Sequence, residues 1–148
     1  MPGLGGTEGI LARFSYSSFE FQVVYAEIPE SQPFAPRLFV ERRGRSTDNV
    51  KYGFEIRTER RWTESTVLNE RYTVKVSPFQ DDIWLRRLFI PTFIDYLANQ
   101  PPTDFSFELA YGSLLCSIEA DDPDEGRLAA LWDVSTAVAR RIQEESRE

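Results

Sequence analysis

The amino-acid sequence predicts an α+β domain: a mostly antiparallel sheet with a Pro-interrupted helix and a long C-terminal helix packed on one face. Three observations lead there. Several short segments alternate apolar and polar residues with the period of a half-buried strand. Two later stretches, 82–98 and 123–148, carry apolar residues at helical spacing instead. The order along the chain is strands, helix, strands, helix, with no internal repeat and no low-complexity segment.

Residues 1–9 are Gly-rich, without a basic, hydrophobic leader, and read as a flexible lead-in; residues 10–148 read as one domain. Residues 10–16 and 19–28 are the first two strands. In the second, Phe19, Phe21, Val23 and Tyr25 alternate with Glu20, Gln22 and Val24. Residues 29–36 form a proline-bounded loop. Residues 37–42 are a third strand, with Leu38 and Val40 opposed to Phe39. The polar run 43–49 is a hairpin loop, and residues 51–58 are a fourth strand. Glu64, Ser65 and Thr66 are a polar lead-in, followed by Asn69-Glu70-Arg71 and a fifth strand, 71–77, whose Tyr72, Val74 and Val76 share one face.

Asp81 or Asp82 supplies the short acceptor that starts a helix. Ile83, Trp84 and Leu88 begin its apolar face, and Phe93, Ile94 and Leu97 continue it to Ala98. Pro91 lacks the N–H and clashes with the preceding turn, so it breaks the segment. The run Asn99, Gln100, Pro101, Pro102 stops it. Residues 104–110 and 113–119 make a hairpin about Tyr111-Gly112, with Phe105, Phe107 and Leu109 on one face. Asp121, Asp122 and Pro123 open the last helix with Pro123 at its first position. Its stripe is Leu128, Leu131, Trp132, Ser135, Val138, Ala139 and Ile142.

Composition excludes several chemistries. The 148 residues include no histidine, so Ser-His-Asp and Cys-His systems, histidine proton shuttles and histidine metal sites cannot form within one chain. The single cysteine, Cys116, makes neither an internal disulfide nor a zinc cluster, which reads as a cytoplasmic protein. No phosphate-cradling glycine motif occurs. A hydrophobic share of 41% argues against disorder. A net charge of −7 disfavours a nucleic-acid surface. The longest uncharged run, 109–118, falls short of the about 20 residues a spanning helix needs.

Glu64-Ser65, then Leu68-Asn69-Glu70-Arg71-Tyr72-Thr73-Val74, resembles a motif in a family of uncharacterised bacterial proteins. In that family a soluble α+β domain commonly follows predicted transmembrane helices. The likeness extends through Phe89-Ile90-Pro91, the 105–118 hairpin and the Asp-Pro-capped last helix, covering roughly residues 13–142. It implies an accessory or regulatory domain near a membrane, reached through a segment upstream of this chain, and implies no activity.

Four local features carry the functional reading. Arg42, Arg43 and Arg45 flank Gly44 at a hairpin tip and, with Arg37, Arg57, Arg60 and Arg61, could grip phosphate or an acidic protein patch. Asn69 and Arg71 precede a strand; they either line a pocket or hold a turn. The acidic run 119–125 does not match an EF-hand loop and reads as carboxylates favoured by the dipole of the last helix rather than a metal site. Cys116, among Leu114, Leu115 and Ile118, reads as a small buried hydrophobe. The resulting expectation is a non-enzymatic binding or regulatory module with a protein partner, the cytosolic part of a membrane-associated protein, with no cofactor, metal or nucleic acid. The alternatives are an acidic, homodimeric chaperone-like protein that shields a partner, or an enzyme using carboxylates and arginines on a phosphorylated or sugar substrate.

Overall fold

Alternation along the strands decides what each side of the sheet becomes. The computed structural model describes residues 9–16, 19–43, 58–119 and 124–147. Its strands are β1 (Gly9–Tyr16), β2 (Phe19–Glu27), β3 (Arg37–Arg42), β4 (Glu59–Arg61), β5 (Tyr72–Val76), β6 (Ser106–Ala110) and β7 (Ser113–Glu119). They form one seven-stranded sheet in the order β1-β2-β7-β6-β3-β5-β4. Every neighbouring pair is antiparallel. The β6–β7 hairpin is inserted between β2 and β3, so the sheet centre is built from residues far apart in sequence. A 3₁₀ turn, Pro29–Ser31, lies on the path from β2 to β3.

The helices are α1 (Thr66–Arg71), α2 (Asp82–Leu88), α3 (Pro91–Asn99) and α4 (Glu125–Ser146). Each of three starts is held by a side-chain acceptor: Leu68 N–H donates to Ser65 Oγ, Trp84 N–H to Asp81 Oδ1 and Arg127 N–H to Asp124 Oδ1. Pro91 separates α2 from α3. Ile90 before it is extended, with φ −67° and ψ 158°, because the proline ring disfavours helical backbone in the preceding residue. Pro91 itself then opens α3, where its missing N–H costs nothing.

The helices cover one face of the sheet. Val24, Ala26, Leu38, Val40, Val74, Val76, Leu109 and Cys116 point into a core shared with Leu68, Leu88, Leu97, Leu131, Val138 and Ile142. Each fully buried large aliphatic contributes roughly 1.5–3 kcal/mol. On the opposite face a cross-strand row runs Ile10, Tyr25, Leu115, Glu108, Phe39, Lys75, Arg60. Among the described residues no helix lies on it.

Several expectations shift. The most apolar alternation of β2, through Phe21, Val23 and Tyr25, lies on the helix-free face, and Val24 and Ala26 face the core. Glu64, Ser65 and Thr66 are not a simple lead-in: Ser65 caps α1, which Thr66 opens, a helix with one buried residue, Leu68, and hence no periodic stripe to read. β4 is three residues long, and only Arg61 of it is part-buried. The expected strand at 51–58 lies outside the described residues, apart from Thr58, which is not in a strand, and so do Asp121 and Asp122 of the acidic run. The last helix begins at Glu125 with Asp124 as cap, later than the Pro123 start, because the Asp124 carboxylate takes the free N–H of Arg127. Ile83 is 65% exposed: the seven-residue α2 turns Trp84, Leu85 and Leu88 inward instead. The Tyr111-Gly112 turn is as expected, with φ of 51° and 84°, the left-handed pair of a tight hairpin.

Candidate functional site

The residues singled out by sequence gather at one end of the sheet, where β3 and β4 finish and β5 begins. Arg42 pairs with Tyr72 in the β3–β5 register. One residue on, Arg43 N–H donates to Arg71 C=O at 2.9 Å. The backbone N–H of Arg42 donates to Ser106 Oγ at 2.7 Å, which anchors the strand end. The Arg42 guanidinium lies 5.5 Å from the Tyr72 ring centroid. Arg42 and Arg71 are half-buried and Arg43 is exposed. Arg42, Arg43 and Arg71 are thus brought together by strand register, although 28 positions separate Arg43 from Arg71. Arg45 and Arg57 lie outside the described residues.

Tyr72 reports the local electrostatics. Burial pushes its phenol up to about 12, and the charges of Arg42 and Arg71 and a hydrogen bond with Arg42 offset part of that rise. Asp104 acts in the same direction as burial. Its carboxylate is occupied by Arg127 at 2.7 Å.

Trp62 completes this end of the sheet. It follows Arg61 directly and is 65% exposed, with the Arg60 guanidinium 3.8 Å from its ring centroid. Asn69 sets its position through Thr63. Thr63 N–H and Oγ1–H both donate to Asn69 Oδ1, at 2.9 and 2.8 Å, and Asn69 Nδ2–H donates back to Thr63 C=O at 2.8 Å. Of the two readings open for Asn69, this is the turn-holding one, and it has a consequence for the surface: it fixes the segment that presents Trp62. Sequence reasoning did not single out Trp62. The available signal was a tryptophan standing alone in a polar run, with no apolar neighbour at strand or helix spacing.

The other arginines considered with this group disperse. Arg37 reaches the opposite end of the sheet, 5.0 Å from the Tyr111 ring centroid. Arg61 turns to the helix side, paired with Glu59 at 3.0 Å and Asp82 at 3.6 Å.

A separate open cleft of about 520 Å³ lies between the Gln100–Pro101–Pro102 stop and the start of α4. Its charged lining residues are already engaged, Asp124 as the α4 cap and Arg127 with Asp104. Among the described residues no group of carboxylate and thiol side chains is placed to hold a metal ion. Cys116 is fully buried, and burial pushes its thiol up to about 12, which makes it unreactive in the folded state. Among the described residues no helix is long and apolar enough to cross a membrane.

Comparison with protein-family models, with curated proteins and with solved structures finds no match to this chain.

Proposed function

We propose that this chain is a non-enzymatic binding module that grips an acidic segment of a partner protein at the arginine- and tryptophan-bearing end of its sheet. The observation that carries the reading is the solvent-facing Arg60–Trp62 stack, with 3.8 Å between guanidinium and ring centroid, at the same sheet end as Arg42, Arg43 and Arg71. Tryptophan and arginine are the side chains that most often dominate protein interfaces. A stacked guanidinium keeps its hydrogen-bonding edge available for a carboxylate while the ring supplies apolar area. The chain carries a net charge of −7, so this end is a local exception that orients an acidic partner and leaves the remaining surface repulsive.

The test uses a fluorescent peptide of alternating glutamate and leucine, followed by anisotropy. A lysine–leucine peptide and anionic phospholipid vesicles serve as competing probes. Binding of the acidic peptide is expected, weakening as salt rises. Trp62→Ala and Arg43→Glu should each weaken it about tenfold or more, at unchanged circular dichroism, because both side chains are exposed. Equal binding by both variants, or a preference for the vesicles or the basic peptide, would remove this end of the sheet as the docking site.

A further inference from the structure

The helix-free face of the sheet has a charge pattern that is complementary to itself. Phe39 is half-buried near its middle. Its same-face neighbours along β3 are Arg37 and Glu41. Across the strands it pairs with Glu108 of β6 on one side and Lys75 of β5 on the other. Around Phe39 the order is therefore Glu41, Lys75, Arg37, Glu108, with the two acids on one side of a diagonal and the two bases on the other. Same-face neighbours lie about 6.8 Å away along a strand and about 4.8 Å away across strands, so the four charges form a cross whose arms differ by about 2 Å, an offset that long side chains span.

We propose that a second copy of this chain docks on this face, sheet against sheet with strands crossing near a right angle, about a two-fold axis through Phe39. The axis follows the diagonal that passes between Glu41 and Lys75 and between Arg37 and Glu108. Rotation about it exchanges the along-strand and cross-strand positions. Glu41 of each copy then faces Lys75 of the other, and Glu108 of each faces Arg37 of the other, while the two Phe39 rings meet at the centre. Crossing near 90° is one of the two standard ways in which sheets stack. A two-fold interface requires one patch to complement itself, and this arrangement meets that requirement at all four charges.

Charge favours a second copy over a foreign partner here. Two chains of −7 repel each other overall, yet these four groups sum to zero, so the contact around Phe39 adds no like-charge repulsion of its own. A strongly acidic or basic partner would meet two like charges wherever it lay. Lys75 and Glu41, 3.3 Å apart, keep 41% and 42% of their side chains exposed and are accessible to an incoming surface. The face spans about 30 Å across the strands and about 16 Å along them, so two copies crossing near a right angle overlap over about 16 Å by 16 Å, a footprint of about 260 Å². That is below the about 800 Å² per partner of a standard interface, so the dimer is concentration-dependent.

The test is sedimentation velocity over a wide protein concentration range. The wild-type chain should pass from monomer to dimer as concentration rises. Glu41→Lys and Lys75→Glu should each remain monomeric, since each sets like charges opposite one another twice. Mixed in equal amounts, the two variants should form a heterodimer. The base introduced by Glu41→Lys in one chain then faces the acid introduced by Lys75→Glu in the other, and the unaltered pair is also satisfied. An exchange confined to the intramolecular Glu41–Lys75 pair would alter only the melting temperature and give no rescue in trans. A wild type that stays monomeric throughout, variants that dimerise as well as wild type, or a mixture no more dimeric than its components would overturn the proposal.

Discussion

Trp132 shows how one side chain joins local pattern to stability. It lies mid-stripe on α4, is 6% exposed, and has no hydrogen-bond partner for its buried indole N–H. Its value is therefore packing volume, with an unmet polar group as a cost. Trp132→Ala should destabilise the fold by about 3–5 kcal/mol. Trp132→Phe should cost much less, because it removes the unsatisfied donor along with part of the ring. Urea titrations that place both variants within about 1 kcal/mol of wild type would contradict this role. Asn69 is the contrasting residue: it is polar and part-buried, and its three hydrogen bonds to Thr63 fix backbone instead of filling space.

At the scale of elements, the joint between α2 and α4 rests on Arg141. Its guanidinium donates to Leu88 C=O at 3.2 Å, to Arg87 C=O, and to Glu145 Oε2 at 3.2 Å. These carbonyls belong to the end of α2, where backbone acceptors lack helical partners because Pro91 prevents continuation. Arg141 is 16% exposed at its side chain and Glu145 8%, so loss of the arginine leaves both a buried carboxylate and open carbonyls. Arg141→Ala should cost about 3 kcal/mol in a urea titration, and Arg141→Lys should recover less than half, since a single ammonium cannot bridge three acceptors in one plane. A fully restored midpoint in the lysine variant would show that charge alone is sufficient. The joint was not legible from sequence: Arg141 looks like any solvated residue of a C-terminal helix, and its carbonyl partners lie more than 50 positions away. Elements with strict periodicity were legible. β3 and β7 occupy the expected residues, the Pro91 break divides the helical segment as read, and the hairpin turns at Tyr111-Gly112. α1 and β4 were not, because six residues with one buried leucine, and three with one part-buried arginine, leave too few apolar positions to define a period. The site was half legible for the same kind of reason. The arginines stand out by composition, but strand register decides that Arg42, Arg43 and Arg71 meet while Arg37 departs.

For the whole molecule, the absence of histidine and the burial of its weakly acidic groups together determine how stability follows pH. With no histidine among 148 residues, no side chain of ordinary pKa changes charge between about pH 5 and 8, so stability should be nearly flat there. The alkaline side differs. Burial holds the Cys116 thiol in its neutral form up to about 12, against 9.0 when exposed. Tyr72 is likewise raised from 10.0 to about 12, first by burial, and Tyr96 is raised by burial and by the nearby charge of Asp133. Above pH 9 the unfolded chain loses the Cys116 proton while the folded chain keeps it, so the unfolded state binds fewer protons and stability falls as pH rises. The fall should approach about 1.4 kcal/mol per pH unit from the thiol alone and steepen above pH 10, when the two tyrosines join. Each ionisation also adds to a chain already at −7, and the added repulsion acts in the same direction. Cys116→Ala should flatten the profile between pH 9 and 10 without altering the steeper fall beyond it. Urea midpoints measured from pH 6 to pH 11 on both proteins decide the matter: identical slopes between pH 9 and 10 would mean that the thiol ionises in the folded chain as readily as in the unfolded one.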